Sequence, residues 1–150
     1  PGGHASAGTH IEQDGKTLFS EGRYLGHGAT MSNNVAEYAA FIRGLEFLLA
    51  RGLNRQPIHC RGDSNLVIQQ MFGTWKIRGG LYAASARKAK RLTGRFPNLT
   101  GQWIPREDNE VCDVLSKQPL RDRGVFFRLQ PERVNEQLDQ EYRECLACEP

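Results

Sequence analysis

Glu37, Asp63 and Asp113 are the residues whose type and setting suggest chemistry. Glu37 lies in "MSNNVAEYAAFIRGLEFLLARG". At about 100° per residue, Tyr38, Phe41, Ile42, Leu45, Leu48 and Leu49 form one helical face, and Glu37 falls at its edge. A carboxylate there is partly desolvated and needs a partner. No Lys or Arg stands three or four residues away, so the alternative is a boundary glutamate that reaches out to water. Asp63 ends the strand pattern of "PIHCRGD", where it is either a helix cap or part of a ligand site at a strand's carboxyl end. Asp113 sits in "NEVCDVLS". Val111, Val114 and Leu115 read as the inner side of that helix, with Asp113 pointing away as a solvated residue or as a ligand. As a set, such carboxylates suit hard divalent cations. Two such ions can activate water and stabilise the leaving oxygen in phosphodiester cleavage.

The elements that must carry these residues follow from periodicity and turn chemistry. Ala5 to Ile11 and Leu18 to Leu25 flank "EQDGK", and Asp14-Gly15 predicts a tight hairpin. Ser32 to Asn34 supply capping side chains for a helix of about five turns that stops at Gly52. "PIHCRGDS" predicts a short strand, with Ile58 and Cys60 alternating against His59 and Arg61. "SNLVIQQMF" predicts a helix ending near Gly73, and a basic helix follows from about Leu81 to Phe96. Leu99 to Ile104 reads as a strand, and "DNEVCDVLSK" as a helix capped by Asp108 or Asn109. A hairpin followed by alternating strands and helices predicts an α/β fold, a mixed sheet covered by helices. The stretch 119–150 reads as a C-terminal extension, with Val134, Leu138, Tyr142 and Cys145 on one helical stripe.

Composition sets outer bounds. The chain has 150 residues, 39% hydrophobic and 25% charged, which is globular rather than disordered. Its net charge of +3 permits nucleic acid as a partner. Between Asp63 and Glu107 there is no acidic residue, while Lys76, Arg78, Arg87, Lys88, Lys90, Arg91, Arg95 and Arg106 all fall there, with Trp75 and Tyr82 among them. Solvated helices mix signs, whereas a one-sign face suits a phosphate backbone. No apolar run approaches the roughly 18 residues of a membrane helix. Cys60 and Cys112 read as small buried hydrophobes. Cys145 and Cys148 form a lone C-x-x-C without the second pair a zinc site needs. The expectation is a reduced, intracellular protein of the cytoplasm or nucleus.

"SNNVAEYAAFIRGLEFL", "RGDSNLVIQQ", "GTWKIRGG" and "WIPREDNEVCDVLS", in this order, closely resemble a type 1 ribonuclease H, from Pro1 to about Gln118. The resemblance implies a domain over 1–118 with a five-stranded mixed sheet flanked by helices. It implies cleavage of the RNA strand of RNA–DNA hybrids with two Mg²⁺ ions, Mn²⁺ being an acceptable substitute. By match, Glu37, Asp63 and Asp113 are catalytic metal ligands. Ser32, Asn33, Asn34 and Asn65 match contacts along the substrate groove, and Trp75, Lys76 and Arg78 match the segment that grips the DNA strand.

One member of the ligand set has no counterpart. In the family, a first Asp lies on a strand just before a glycine-rich turn, and "PGG" at positions 1–3 resembles the end of that turn. The expectation is that the first strand and its Asp lie upstream, and that the chain as written is an incomplete, inactive fragment. The competing expectation is a noncatalytic ribonuclease H-like module that binds hybrid or another protein.

Overall fold

Asp14 and Gly15 take positive φ, 51° and 77°, and reverse the chain between its first two strands. In the computed structural model, which describes residues 3–122, β1 (His4–Gln13) pairs antiparallel with β2 (Lys16–His27). Both strands run further than the hydrophobic alternation alone suggests. Their ladder continues from Gln13↔Lys16 to His4↔His27, with register shifts at Ala5/Ser6 and Ile11/Glu12.

Helix α1 (Asn33–Ala50) begins where the Ser32 hydroxyl accepts from the Val35 amide at 3.2 Å. It stops where Gly52 turns to φ +69°. The strand β3 (Ile58–Gly62) leads into α2 (Asn65–Phe72), then α3 (Ala83–Thr93), β4 (Leu99–Trp103), a 3-10 turn at Arg106–Asp108, and α4 (Glu110–Asp122). β3 and β4 pair in parallel, Ile58↔Leu99 to Gly62↔Trp103.

The four strands do not join into one sheet. Among the described residues, β1 pairs with β2 and β3 pairs with β4, giving two separate two-stranded sheets. The expected mixture of antiparallel and parallel strands flanked by helices is present, but it is split down the middle. Helix α1 lies on one face of β1, where the Thr9 hydroxyl donates to the Ala40 carbonyl at 2.8 Å. Helix α4 lies on the other, where the Ser6 hydroxyl donates to the Ser116 carbonyl. Two glycines permit that approach. A Cβ on Gly8 would overlap the Cys112 carbonyl, and one on Gly22 the Leu115 carbonyl.

The packing of α4 corrects the sequence reading. Val111 and Val114 are 53% and 50% exposed. Cys112, Ser116 and Leu120 are the covered residues instead, together with Leu115 as expected, and Asp113 is half-buried. The Gly8 and Gly22 contacts decide this, because the helix backbone can come close only along the line those two residues leave open. The helix also continues through Pro119 to Asp122. Pro119 has no amide to give the Leu115 carbonyl, and that carbonyl faces Gly22. The stripe from Val134 to Cys145, with Cys148, lies outside the described residues.

Two apolar clusters hold the layers together. In one, Tyr38 and Ile42 of α1 pack with Leu66, Val67 and Met71 of α2 and with Ala86 and Ala89 of α3. In the other, Leu45 and Leu48 of α1 pack with Phe96. Helix α3 buries only alanines, at positions 83, 86 and 89, so its long basic side chains stay on the outside.

Candidate active site

The edges of β1 and β3 face each other across a cleft of about 290 Å³. Its walls are consecutive backbone runs, Gly8 to Gln13 on β1 and Ile58 to Gly62 on β3. Its floor is α1, through Ala40, Phe41, Gly44, Leu45 and Leu48, with Glu37 at one end. Cys112 and Asn109 close the side nearest α4. Strand edges this close, with apolar side chains beneath them, leave backbone donors and acceptors that a further extended segment would satisfy.

Of the sequence-predicted carboxylates, Glu37 lines this cleft, while Asp63 and Asp113 are chain neighbours of residues that line it, Gly62 and Ser64 for Asp63 and Cys112 for Asp113. Glu37 is half-buried between Ala36 and Tyr38. Asp63 follows the last residue of β3, and its carbonyl accepts from the Trp103 indole at 3.2 Å. Asp63 is not the cap of α2. Ser64 is, its hydroxyl accepting from the Val67 amide at 3.3 Å, so the Asp63 carboxylate is not consumed in starting the helix.

The Cys112 thiol reports the local field. Burial, chiefly, then the charge of Asp63 and, last, that of Glu37 push its pKa up to about 11, against a lowering by the His10 backbone. Glu37, Asp63 and Cys112 therefore share one neighbourhood. Cys60 is pushed up to about 12 by burial first and by Cys112 second. Both thiols are free and half-buried rather than fully buried as expected, and with pKa values this high both are protonated at neutral pH.

Asp113, next in the chain to Cys112, is tied instead to Lys117, Oδ2 to Nζ at 2.8 Å. Glu37, Asp63 and Asp113 carry the hard oxygen donors that Mg²⁺ takes. Yet among the described residues no three His, Cys, Asp or Glu side chains stand close enough to hold a metal ion. The donor chemistry fits a divalent cation, but the donor set as it stands does not make a cation site.

The predicted substrate contacts are divided. Ser32 and Asn34 are buried beneath the start of α1, while Asn33 is half-exposed. Asn65 is exposed on the first turn of α2. Trp75 lies half-buried against the core, and Lys76 and Arg78 project into solvent beyond it. The basic residues on α3, Arg87, Lys88, Lys90 and Arg91, are all exposed. Lys90 folds back, its Nζ donating to the Gln70 carbonyl at 3.2 Å and Met71 at 3.4 Å.

Gln70 was not singled out by its sequence context. It is 2% exposed. Its oxygen accepts from the Tyr38 hydroxyl, and its amide donates to the Tyr82 hydroxyl and to the Lys76 carbonyl. The available signal was a polar residue on the Leu66–Val67–Gln70–Met71 stripe, where a glutamine has to find partners.

Comparison with known proteins fixes the family. The profile of the family described as "Reverse transcriptase-like" matches residues 3–118. The crystal structure of RNase H1 from Halobacterium salinarum matches with a TM-score of 0.69 at 31% identity, over 80% of this chain and 88% of that one. The chain belongs to the ribonuclease H family. Other ribonuclease H relatives agree. The LC11-RNase H1 crystal structure in complex with RNA/DNA hybrid has a TM-score of 0.61 at 35% identity, over 70% of this chain and 76% of that one. The bifunctional protein Rv2228c of Mycobacterium tuberculosis is 31% identical over 107 residues, which cover 71% of this chain and 28% of that protein. The chain thus spans little more than a quarter of that ribonuclease H relative.

Proposed function

We propose that this domain hydrolyses the RNA strand of RNA–DNA hybrids, using two divalent cations, Mg²⁺ with Mn²⁺ as substitute. The observation that carries the proposal is that Glu37 lines one cleft in a ribonuclease H family chain and that Glu37 and Asp63 both act on Cys112 in its wall, with Asp113 next in the chain to Cys112. Lys76, Arg78 and the outer face of α3 supply positive charge for the sugar–phosphate backbone. Half-exposed Asn33 and exposed Asn65 carry amides that can both donate and accept, which suits the 2′-hydroxyls that separate RNA from DNA.

The proposal includes a strand that the described residues lack. An extended segment upstream of Pro1, seated between β1 and β3, would join the two sheets and bring a further carboxylate to Glu37, Asp63 and Asp113. In this reading the chain without that segment binds hybrid but does not cleave it.

The test uses two proteins, the chain as it stands and the chain preceded by its natural upstream sequence. Both are assayed on a labelled hybrid with and without Mg²⁺. Cleavage confined to the longer protein, lost in Glu37→Gln and Asp63→Asn, supports the reading. Failure of the longer, folded protein to cut hybrid in Mg²⁺ or Mn²⁺ would leave only the binding role.

A further inference from the structure

We propose that His4 and His27 form a two-histidine site for a borderline divalent transition cation at the open end of the β1–β2 hairpin. The site stands apart from the carboxylates and does not rest on the nuclease reading.

The two residues are direct cross-strand partners, so their side chains leave the same face of the sheet. Their ring centroids are 4.3 Å apart, with planes inclined at 37°, and both residues are exposed. An ion about 2.0–2.1 Å from each of two imidazole nitrogens holds those nitrogens roughly 3.3 Å apart. Rings already in contact reach that spacing by small side-chain rotations.

The hairpin is also built to orient one of the ligands. The register shift after Ala5 sets Ser6 opposite Tyr24 rather than Leu25. That extra residue on β2 brings Tyr24 round to the face that carries His4 and His27. Gly26, at φ +140°, supplies the backbone conformation for it. The Tyr24 hydroxyl then lies 2.9 Å from His4 Nδ1. When Nδ1–H donates to that oxygen, the lone pair of His4 resides on Nε2. An outer partner of this kind fixes tautomer and ring orientation in histidine metal sites.

Imidazole pairs favour ions such as Ni²⁺, Cu²⁺ and Zn²⁺ over Mg²⁺, which takes oxygen ligands. Water fills the remaining positions on so open a surface. The bound ion would clip the two strand ends together.

The sequence has four histidines, His4, His10, His27 and His59, so each imidazole can be watched separately. Ni²⁺ is titrated into the full chain while imidazole C–H signals are recorded by NMR. The expected result is paramagnetic broadening of His4 and His27 together, ahead of His10 and His59, with no effect of Mg²⁺ at the same concentrations. In His27→Gln the His4 signal should stay sharp over that range, and Tyr24→Phe should weaken Ni²⁺ binding by about tenfold. Equal broadening of all four signals, or of none, would overturn the proposal. So would undiminished broadening of His4 in His27→Gln, since His27 would then not be a ligand. Unchanged His10 and His59 shifts report that each variant is folded.

Discussion

The side-chain amide of Gln70, buried in α2, donates to the backbone carbonyl of Lys76 at 3.1 Å and so ties the basic loop to the core. The same side chain meets the hydroxyls of Tyr38 and Tyr82. Gln70→Leu keeps most of the volume but removes the hydrogen bonds to both hydroxyls and to that carbonyl. It should cost about 1–3 kcal/mol, read by urea denaturation, and shift the fluorescence of Trp75. An unchanged midpoint would mean that the network contributes nothing net.

Gly8→Ala should destabilise through backbone collision rather than lost flexibility. The new methyl meets the Cys112 carbonyl and the Ser116 amide, neither of which is a movable side-chain end. Overpacking of this kind costs about 1–3 kcal/mol. Gly3→Ala, where nothing lies within 4 Å, should leave the melting temperature unchanged. Equal melting of the two variants would refute the close seating of α4 on β1.

Asp113→Asn separates stability from activity. The Asp113–Lys117 pair is i,i+4, with side chains 28% and 30% exposed, so its loss should cost below about 0.5 kcal/mol. In the protein extended upstream, the same substitution should remove Mg²⁺-dependent hybrid cleavage. Full activity in that variant would take Asp113 out of the ligand set.

Cys60 and Cys112 predict an alkaline weakness. Their folded pKa values, about 12 and about 11, lie above the ordinary thiol value of 9.0. Between these values the unfolded chain loses protons that the folded chain keeps, so stability falls as pH rises. The contribution is fully present below about pH 9 and lost progressively as pH rises through the folded values. Denaturation midpoints at pH 8 and pH 10.5 should therefore differ more in the wild type than in a Cys60→Ala/Cys112→Ala variant. Identical differences would show that the thiols play no part.

Lys90 should behave unlike its neighbours on α3. Arg87→Ala and Lys88→Ala should weaken hybrid binding and lower its dependence on salt, by about 0.9 in log–log slope for each phosphate contact removed. Lys90→Ala should leave that slope intact and lower stability, because its ammonium serves the last carbonyls of α2. A binding-only effect at Lys90 would reverse the assignment.

Local order was legible in the sequence wherever one residue type dictates one conformation. Asp14-Gly15 gave the hairpin, Ser32 the start of α1, Gly52 its end, and the alternation of Ile58 to Arg61 the strand β3. Burial on α4 was misread because Val111 and Val114 outrank Cys112 and Ser116 in hydrophobicity. What turns the helix is two glycines more than ninety positions earlier, and no local pattern encodes that. The grouping of Glu37 with Asp63 followed from family motifs, not periodicity. The division of labour between Ser64 as cap and Asp63 as free carboxylate needed coordinates, since either residue can start a helix. Gln70 was hidden because a single polar residue in an apolar stripe looks like a boundary position until its partners are known.

The rims of β1 and β3, which pair with no further strand among the described residues, also bear on how the chain behaves in company. Each is a short template of amides and carbonyls beside apolar side chains, the combination that recruits strands from other molecules. Crowded copies of this chain should therefore self-associate through that opening, and a soluble preparation should be a matter of concentration as much as of fold.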